Sequence, residues 1–412
     1  MPKKIYLSGG WGYGNIGDNA ILKCTYDQLL TIASPDEIIV TSYDKGELRV
    51  HHRLEAEDSI HSQFSVRTFS RIRRRFWNIP NILDYKLWKR LNVAFLPAMK
   101  KHLQLISSAD VVVLSGGGYF NSAWTGMMRA QFQTIEMAHR LNKPVFICGQ
   151  TIGPFSAGEP QQLLREALKK VTGAGCRDDG SFSLVRSLSD RPDLAVKTAD
   201  VVNLLPKPEP RPVAAGQKQI VGVMIQMFRG HDGPHGRSAS GQIKSEADYL
   251  SAVVTGLAEF AKDKAVSLRF IASTSWDLKN CLKVYEALTE IGGIEMTPPR
   301  TLLNDEFISE CQGVDMMIST NMHPVIIAAT AGRPSMALSY SFKLNDYMES
   351  IGLSEYVLKI DDFSKDSFLE RANDLFGRME MAAATVQKSM PALVDKAKLN
   401  FASVKDALAK RA

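Results

Sequence analysis

The feature that most constrains the fold of this chain is the alternation of short apolar runs with helix-period segments along almost its whole length. The first half contains five predicted strands, "KKIYLSGG", "EIIVTSY", "DVVVLSGGG", "PVFICGQ" and "VKTAD", with helices predicted over 19–33 and 124–141. The second half repeats the pattern with "QIVGVMIQ", "SLRFIAST", "VDMMIST" and "PSMALSY". This βαβ order predicts α/β domains, each with a mostly parallel sheet covered by helices on both faces.

A proline-rich stretch separates the two series. The run "LPKPEPRPVAAGQK", residues 205–218, contains four prolines, which neither a helix interior nor a central strand accommodates. We therefore predict two Rossmann-like domains that face each other across a cleft, a length of 412 residues being sufficient for both. The predicted segments are an N-terminal domain over 1–206 with a basic insertion at about 51–105, a linker over 207–217, a C-terminal domain over 218–380 and a helical segment over 381–412.

Cysteine spacing and hydropathy limit the class of protein. The five cysteines, Cys24, Cys148, Cys176, Cys281 and Cys311, include no C-x-x-C pair, so neither a zinc site nor a disulfide framework is predicted. No segment approaches the roughly 20 apolar residues that span a bilayer, and the N-terminus lacks an apolar signal core. These features indicate a cytoplasmic protein.

Positive charge is concentrated in one segment. Residues 67–101 contain ten basic residues and one acid, Asp84, so this segment carries +9 and the remainder of the chain −3. Aromatic residues such as Trp88 and Phe95 lie between the bases. Two interpretations stay open: a solvated helical pair with an apolar inner face, or peripheral contact with anionic lipid at the inner face of the cell membrane. No recognised nucleic-acid motif accompanies the charge, so we expect no nucleic-acid partner.

A glycine-rich loop, "GGWGYGNIGDNA", follows the first predicted strand. Its three spaced glycines, Gly12, Gly14 and Gly17, match the dinucleotide-binding order G-x-G-x-x-G, and the helix that follows offers N–H groups to an anion. Against a dinucleotide, Trp11 and Tyr13 would place bulk where a pyrophosphate lies. The first acid after the next strand, Asp44, also comes later than the usual ~20 residues. The loop is therefore predicted to bind another phosphate or a carboxylate.

Polar residues accompany the glycines at three strand ends. Asn15 and Asp18 stand at the start of the first helix, where either could be its N-cap, and a catalytic or sugar-hydroxyl role for Asp18 stays open. "SGGGYFN", residues 115–121, and "GQTIGPF", residues 149–155, are interpreted as two further loops with exposed amides or polar side chains. A tight strand-to-helix turn is the alternative for the glycine triplet.

These stretches together resemble the polysaccharide pyruvyl transferase family. "GYGNIGDNAIL", "LSGGGYF", "GQTIGPF", "CRDDGSFSLV" and "STNMHPVIIAATAGRPSMALSYSFK" occur in the family's order and spacing, over roughly 3–353. The resemblance implies an architecture similar to type B glycosyltransferases. It also implies transfer of pyruvate from phosphoenolpyruvate to a sugar of a surface polysaccharide or its lipid-linked precursor, commonly as a cyclic ketal. No resident cofactor and no metal are implied.

The resemblance also implies donor-binding residues, with two departures. Where the family has S-x-R-x-H, this chain has Ser319, Asn321 and His323, so the histidine is kept and the arginine is replaced. At the end of "VGVMIQ", Gln226 stands where relatives commonly have arginine. His323 precedes Pro324, which suits the first turn of a helix. A helix N-terminus disfavours imidazolium until an anion binds, so His323 is the predicted general acid or base; a structural histidine is the alternative.

Cations elsewhere replace the lost arginines in this interpretation. Lys343 in "SYSFK" matches a family lysine, and Arg229 and Arg237 flank the glycine-rich stretch "FRGHDGPHGR". These three residues are the predicted donor-phosphate ligands. A solvated charge is the alternative for Lys343.

Acceptor binding is assigned to the N-terminal loops. The predicted acceptor-binding residues are Gly14, Asn15, Gly117, Gly118, Tyr119, Asn121, Gln150 and Thr151. Trp124, Trp276 and Asp277 are further candidates for contact with a sugar face, and Arg177 and Asp178 are interpreted as an internal ion pair that fixes a loop. The oligomeric state is left open.

Three functions are consistent with these features. The first is a pyruvyltransferase with His323 and Asp18 as catalytic residues. The second is a nucleotide-sugar-dependent glycosyltransferase of the same shape, favoured by the two arginine-to-amide replacements because amides suit hydroxyl groups. The third is a saccharide-binding relative without catalysis. A nicotinamide dehydrogenase is disfavoured by the opening loop.

Overall fold

The computed structural model of the protein describes residues 3–60, 82–122, 125–155, 158–209, 216–226 and 245–410. The chain forms two compact units. The first comprises Met1–Tyr13, Ile21–Val201 and Lys396–Ala412, and the second comprises Gly14–Ala20 and Val202–Asp395. The end of the glycine-rich loop and the start of the following helix are therefore grouped with the second unit.

The first unit contains an eight-stranded sheet. Its strands are β1 (Ile5–Ser8), β2 (Ile38–Ser42), β3 (Glu57–Asp58), β4 (Val111–Leu114), β5 (Gly117–Phe120), β6 (Val145–Ile152), β7 (Gly173–Cys176) and β8 (Ala195–Lys197). The spatial order is β3-β2-β1-β4-β6-β7-β8, with β5 paired to β6 outside this path. Every recorded strand pair is parallel. The four residues of β4, "VVVL", are fully buried, as expected for a central parallel strand covered on both faces.

Helices connect these strands. They are α1 (Ile16–Leu29), α2 (Lys45–His52), α3 (Pro97–Ser108), α4 (Thr125–Arg140), α5 (Glu159–Leu168) and α6 (Asp179–Leu188), and residues 82–91 are also helical. Side-chain caps begin α2 and α6: Asp44 accepts hydrogen bonds from two backbone amides of α2, and Asp178 accepts one from Ser181. Asp44 therefore serves as a helix cap.

The second unit contains a six-stranded parallel sheet. Its strands are β9 (Ile220–Met224), β10 (Ser267–Phe270), β11 (Glu295–Thr297), β12 (Met316–Ser319), β13 (Ser335–Ser339) and β14 (Val357–Lys359), in the order β11-β10-β9-β12-β13-β14. The helices are α7 (Glu246–Asp263), α8 (Ser275–Ile291), α9 (Asn304–Gln312), α10 (Met322–Thr330), α11 (Phe342–Ser350) and α12 (Lys365–Gly377), followed by α13 (Met379–Ala409). Strands β9, β12 and β13 are almost entirely buried.

Each sheet has one point at which the strand order reverses. In the first unit this point lies between β1 and β4, and in the second between β9 and β12, which are neighbours although they are distant in sequence. Open α/β sheets bind ligands beyond the carboxyl ends of the two strands at such a point. The loops after these four strands are therefore the places to look for a site.

The predicted fold class is confirmed: both units are α/β with parallel sheets. All nine runs predicted to be strands contain strands. The first helix begins at Ile16 rather than at residue 19, because Asn15 caps it three residues earlier than the apolar periodicity indicates. Most of the predicted linker, over 210–215, and residues 67–81 of the basic segment lie outside the described residues. None of the helices in the described ranges is long and apolar enough to cross a membrane.

Candidate functional site

Polar side chains converge beyond the carboxyl ends of β9 and β12 in the second unit. Gln226 lies two residues after β9, and Asn321 lies two residues after β12. The backbone N–H of Gln226 donates to Thr320 Oγ1 at 2.7 Å, which joins the two loops directly. Gln226 and Asn321, the two positions where the family resemblance implies arginines, are therefore neighbours at the reversal point of this sheet.

His323 lies in the first turn of α10. The turn that leads into the helix is fixed by Ser319, whose hydroxyl donates to the backbone oxygen of Asn321 at 2.8 Å and accepts from its N–H at 3.0 Å. Ser319 is fully buried, so its side chain shapes this turn. Asn321 occupies the N-cap position of α10, and His323 is half-buried at the second helical residue. The imidazole thus stands at a helix N-terminus, where the helix dipole favours an anion.

Gly17 lies against this imidazole. A Cβ atom at position 17 would lie 2.2 Å from His323 Nδ1, far closer than atoms in contact allow. The start of α1 is held in place by a hydrogen bond from the N–H of Ile16 to the backbone oxygen of Ser273, at 2.9 Å. Glycine at position 17 is therefore required for space and for the position of His323, while Gly14, with φ +77°, is exposed and has no neighbouring atom within 4 Å of a Cβ.

Asn15 and Asp18 divide the roles that the sequence left open. Asn15 Oδ1 accepts from the N–H of Gly17 at 3.0 Å, so Asn15 is the residue that caps α1. Asn15 Nδ2 donates to Asp18 Oδ2, also at 3.0 Å. Asp18 is half-buried in the first turn, on the same short segment as Gly17. Its carboxylate is therefore oriented by Asn15 close to the start of the helix.

Asp277 connects the polar side chains at this strand edge. Its carboxylate accepts from Ser273 Oγ at 2.8 Å, from Asn321 Nδ2 at 3.3 Å and from Gln226 Nε2 at 3.5 Å. Its backbone N–H donates to Thr274 Oγ1, which caps α8. The side chain is fully buried, and this burial raises the pKa of the carboxyl, an effect that the hydrogen bonds from Ser273 and Thr274 oppose. The expected contact of Asp277 with a sugar face is wrong for this buried arrangement.

The arrangement around Asp277 determines which way two amides face. An ionised carboxylate only accepts hydrogen bonds, so the NH₂ groups of Gln226 and Asn321 are directed to it. The Asn321 oxygen accepts from the Tyr340 hydroxyl at 3.4 Å. The NH₂ groups of Gln226 and Asn321 therefore donate to a buried carboxylate of the protein. A guanidinium group at either position would instead offer paired donors to an anion.

Of the three basic residues predicted to bind the donor phosphate, the structure describes Lys343. It is half-buried in the first turn of α11, which follows β13 just as α10 follows β12. A phosphate or carboxylate near Lys343 would also be favoured by the N-terminus of α11. Arg229 and Arg237 lie outside the described residues, as does Trp124. Trp276 is exposed, and the ammonium of Lys279 lies 5.6 Å from the centroid of its ring.

The opening loop of the first unit is folded more tightly than the sequence suggests. Trp11 is fully buried, and its indole N–H donates to the backbone oxygen of Thr41 at 2.7 Å. A Cβ at Gly9 would lie 2.1 Å from the Trp11 ring, so glycine leaves room for the indole. Tyr13 stacks on Tyr43 with 4.2 Å between ring centroids. The expectation that the Trp11 side chain occupies ligand space is therefore wrong.

The glycine triplet is packed and does not present a row of exposed amides. Gly116 and Gly117 are buried, and β5, which contains Gly117 and Gly118, pairs with β6. A Cβ at Gly116 would lie 2.8 Å from the backbone oxygen of Gly149. Tyr119 and Asn121 are buried as well, and both donate to the backbone of this segment, at Ser115 and Gly118. Close packing of backbone explains the glycines here.

Gln150 and Thr151 were expected in a loop, but they lie within β6 and are fully buried. Gln150 Nε2 donates to the backbone oxygen of Ser115 at 3.1 Å. The Thr151 hydroxyl donates to Asp178 at 2.8 Å and accepts from Arg177 Nε at 2.7 Å. Both side chains thus hold neighbouring segments together, and their contact with an acceptor stays a prediction.

Arg177 pairs with Asp200 inside the first unit. Arg177 Nη1 donates to Asp200 Oδ2, and the two side chains are only 5% and 3% exposed. The interpretation of Arg177 as part of an internal ion pair agrees with this contact, but the partner is Asp200 rather than Asp178. Asp178 instead caps α6.

The sequence does not predict two features of the second unit. The role of Asp277 as a shared acceptor depends on Gln226 and Asn321, which are 51 and 44 residues away. The spacing Thr274-x-x-Asp277 is a recognisable helix-start pattern, and it would have placed Asp277 at a strand end. The contact of Gly17 with His323 has no local signal.

Over the ranges that the structure describes, no cluster of three or more His, Cys, Asp or Glu residues is arranged to hold a metal ion.

Solved structures with the same fold include proteins solved with a nucleotide or a nucleotide sugar. A UDP-GlcNAc 2-epimerase from Neisseria meningitidis, solved with UDP-GlcNAc, aligns over 99% of this chain and 100% of its own with a TM-score of 0.58 and 11% identity. The Anabaena protein Alr3699/HepE, solved with UDP and glucose, aligns over the same shares with a TM-score of 0.57 and 13% identity. Identities this low show the fold alone.

Sequence comparison is more specific. The amylovoran biosynthesis protein AmsJ of Erwinia amylovora is 21% identical, over 94% of this chain and 95% of its own length. The family model for polysaccharide pyruvyl transferase matches residues 15–342, a range that includes Gly17, Asp277 and His323. Because the match covers well over half of the chain, this protein belongs to the polysaccharide pyruvyl transferase family.

Proposed function

We propose that this pyruvyltransferase takes pyruvate from phosphoenolpyruvate and transfers it to a sugar of a cell-surface polysaccharide or of its lipid-linked precursor. The observation that carries the proposal is the position of His323. It is half-buried in the first turn of α10, at the reversal point of the second sheet, and Gly17 lies directly against its ring. A proton-transferring group in this position lies beside a helix end at which an anion is favoured.

The chemistry assigns separate tasks to the residues. A sugar hydroxyl oxygen attacks C2 of phosphoenolpyruvate while the C3 methylene gains a proton. A second hydroxyl oxygen then attacks C2 as the bond from C2 to the phosphate oxygen breaks, giving a ketal. Of the two hydroxyl protons lost, one balances the proton gained at C3 and the other leaves with inorganic phosphate. We assign proton transfer to His323, with Asp18 as the second catalytic residue. Lys343 and the N-termini of α10 and α11 balance the charge of the departing phosphate.

The side-chain amides of Gln226 and Asn321 bear on the identity of the donor. Gln226 and Asn321 replace two arginines, and Asp277 holds their NH₂ groups. This favours a second candidate, a nucleotide-sugar donor whose hydroxyl groups meet the amide oxygens. Related folds bind UDP-sugars, which is consistent with this candidate. Calorimetric titration of the purified protein with phosphoenolpyruvate and with UDP-glucose separates the two: binding of phosphoenolpyruvate and none of UDP-glucose supports the first.

The reaction itself is tested by phosphate release. With phosphoenolpyruvate and a glycan acceptor, we expect acceptor-dependent release of inorganic phosphate, and a loss of about 10²–10⁴-fold in kcat for His323→Ala, the range for a missing general acid or base. His139→Ala is the matched control, because His139 is exposed at the end of α4 and should leave the rate unchanged. No acceptor-dependent release by the wild-type protein, or equal rates for the two variants, would contradict the proposal.

A further inference from the structure

The helical segment over 82–91 and the turn that follows it have one buried face. Asp84 and Trp88, four residues apart, are each 3% exposed. Residues four apart lie on the same side of a helix, so this side faces the body of the first unit. The part of the basic segment before residue 82 lies outside the described residues, and residues 82–101 form its described part.

Contacts on the buried face fix the orientation of the segment. The Asp84 carboxylate accepts from the N–H of Phe95 at 2.7 Å and from that of Leu96 at 2.9 Å, which ties the turn to the helix. The Arg140 guanidinium lies 5.3 Å from the centroid of the Trp88 ring, and Arg140 also pairs with Glu136 at 2.7 Å. These contacts hold the side of the helix with Asp84 and Trp88 against the first unit, so the same contacts determine which side chains face outward.

The outward face is apolar. Leu83, Leu87 and Leu91 recur every four residues and are 51%, 41% and 58% exposed, and Val93 and Phe95 extend the surface at 46% and 59%. Within the described part of the chain, 14 large apolar side chains are exposed, and six of them fall between residues 82 and 95. Large apolar side chains clustered in this way mark an interaction surface.

Exposed bases lie beside the leucines. Lys86, Lys89 and Arg90 are exposed on the same helix, and Lys100 follows it. The one acid between residues 82 and 101, Asp84, is buried and bonded to backbone amides. A second copy of the chain docking by the same face would bring like charges together, whereas an anionic lipid surface complements both the bases and the leucines.

We propose that this face, residues 82–95, docks on an anionic membrane surface. The leucines, Val93 and Phe95 enter the headgroup region, and Lys86, Lys89 and Arg90 contact lipid phosphates. This surface lies outside the residues assigned to transfer and needs neither donor nor acceptor. Docking would hold the enzyme at the plane where lipid-linked saccharides are found, and it is testable whether or not the donor assignment holds.

Vesicle sedimentation tests the docking. The full-length protein is mixed with vesicles of phosphatidylcholine alone or of phosphatidylcholine with phosphatidylglycerol. We expect binding only to the phosphatidylglycerol vesicles, and weaker binding as salt concentration rises. K86A/K89A/R90A should weaken binding about hundredfold, from about fivefold for each base near an anionic surface. L87S/L91S should weaken it about tenfold or more through lost apolar insertion.

The matched control is L399S/K405A on α13, which removes an exposed leucine and an exposed lysine elsewhere and should bind as the wild type does. Thermal unfolding of all variants checks that they are folded. Equal binding to both vesicle types, or K86A/K89A/R90A binding as well as the control, would overturn the proposal. A dimer that L87S/L91S dissociates, with no vesicle binding by the wild type, would also overturn it and identify the face as a subunit interface.

Discussion

Both sheets are parallel and each has one reversal point, but different groups lie beyond their strand ends. Beyond β1, β4 and β6 in the first unit, glycines and buried side chains fill the space, as Trp11 under Gly9 and Tyr119 beside Gly117 illustrate. Beyond β9 and β12 in the second unit, polar groups converge on Asp277, and His323 remains half-buried. A glycine-rich loop at a strand end is therefore weak evidence for a ligand until the packing of the glycines is known.

Ion pairing deepens the contrast. The first unit buries Arg177 and Asp200 together beneath its strand ends, where the guanidinium also binds Thr151. The second unit buries an acid, Asp277, whose partners are neutral amides and hydroxyls. We interpret the first network as structural and the second as one that sets which atoms face a substrate.

Asp200→Ala should have the largest effect, on stability. It leaves Arg177 as a buried charge without its carboxylate, and breaking such a pair costs about 3–5 kcal/mol of unfolding free energy. Denaturant unfolding of the purified protein measures the change. Glu159→Ala is the control, because the pair of Glu159 with Arg129 is exposed and its loss should cost about 1 kcal/mol or less. Equal costs for the two variants would argue against a structural role for the buried pair.

Gly17→Ala should affect activity more than stability. The position is helical, so alanine fits the backbone. The new Cβ would lie 2.2 Å from His323 Nδ1, however, so the His323 ring would have to move. A small misplacement of a catalytic group can reduce kcat by about 10²-fold. The measurement is phosphate release alongside thermal unfolding.

The control for position 17 is Gly377→Ala, since a Cβ at the end of α12 meets no atom within 4 Å. Its activity should match the wild type. If Gly17→Ala released phosphate at the wild-type rate, the placement of His323 by the start of α1 would be without functional importance.

Asp277→Asn should have a smaller effect, on donor use. The new amide brings an NH₂ group towards those of Gln226 and Asn321, so at least one of the three must turn. We expect kcat/KM for the donor to change by about tenfold, equivalent to about 1.4 kcal/mol, the scale of a hydrogen bond. Asp305→Asn, at an exposed acid of α9, is the control. Unchanged kinetics with both donors would remove Asp277 from the specificity determinants.

Asn15→Ala should have the smallest effect. It removes the cap of α1 and the hydrogen bond that orients Asp18, with an expected cost of about 1 kcal/mol in unfolding free energy. A fall in activity larger than this would indicate that the orientation of Asp18 matters for the reaction. Thermal unfolding and phosphate release on the same preparation separate the two effects.

The sequence predicted the features that depend on local pattern. Apolar runs such as "VVVL" identify the central strands, because buried parallel strands must be apolar on both faces. His323 was placed correctly at a helix start, because Pro324 beside it suits the first turn.

Features that depend on distant contacts were not predictable in this way. The sequence predicts the Trp11 side chain in ligand space, because nothing local indicates that Gly9 leaves room for its ring beneath the loop. Polar residues and glycines are typical of loops, so the sequence predicts a loop at Gln150 and Thr151, yet both residues lie in a buried strand. Asp277 gained its importance only when β9, β10 and β12 were aligned side by side.

The fit of an imidazole against a glycine links two positions that are more than 300 residues apart in the sequence. Neither can change freely by itself, because any side chain at position 17 needs the volume that the His323 ring fills. Family members with a larger residue at the equivalent of position 17 should therefore carry a smaller residue, or a shifted helix, at the equivalent of position 323. Substitutions at the two positions should therefore be correlated across the family.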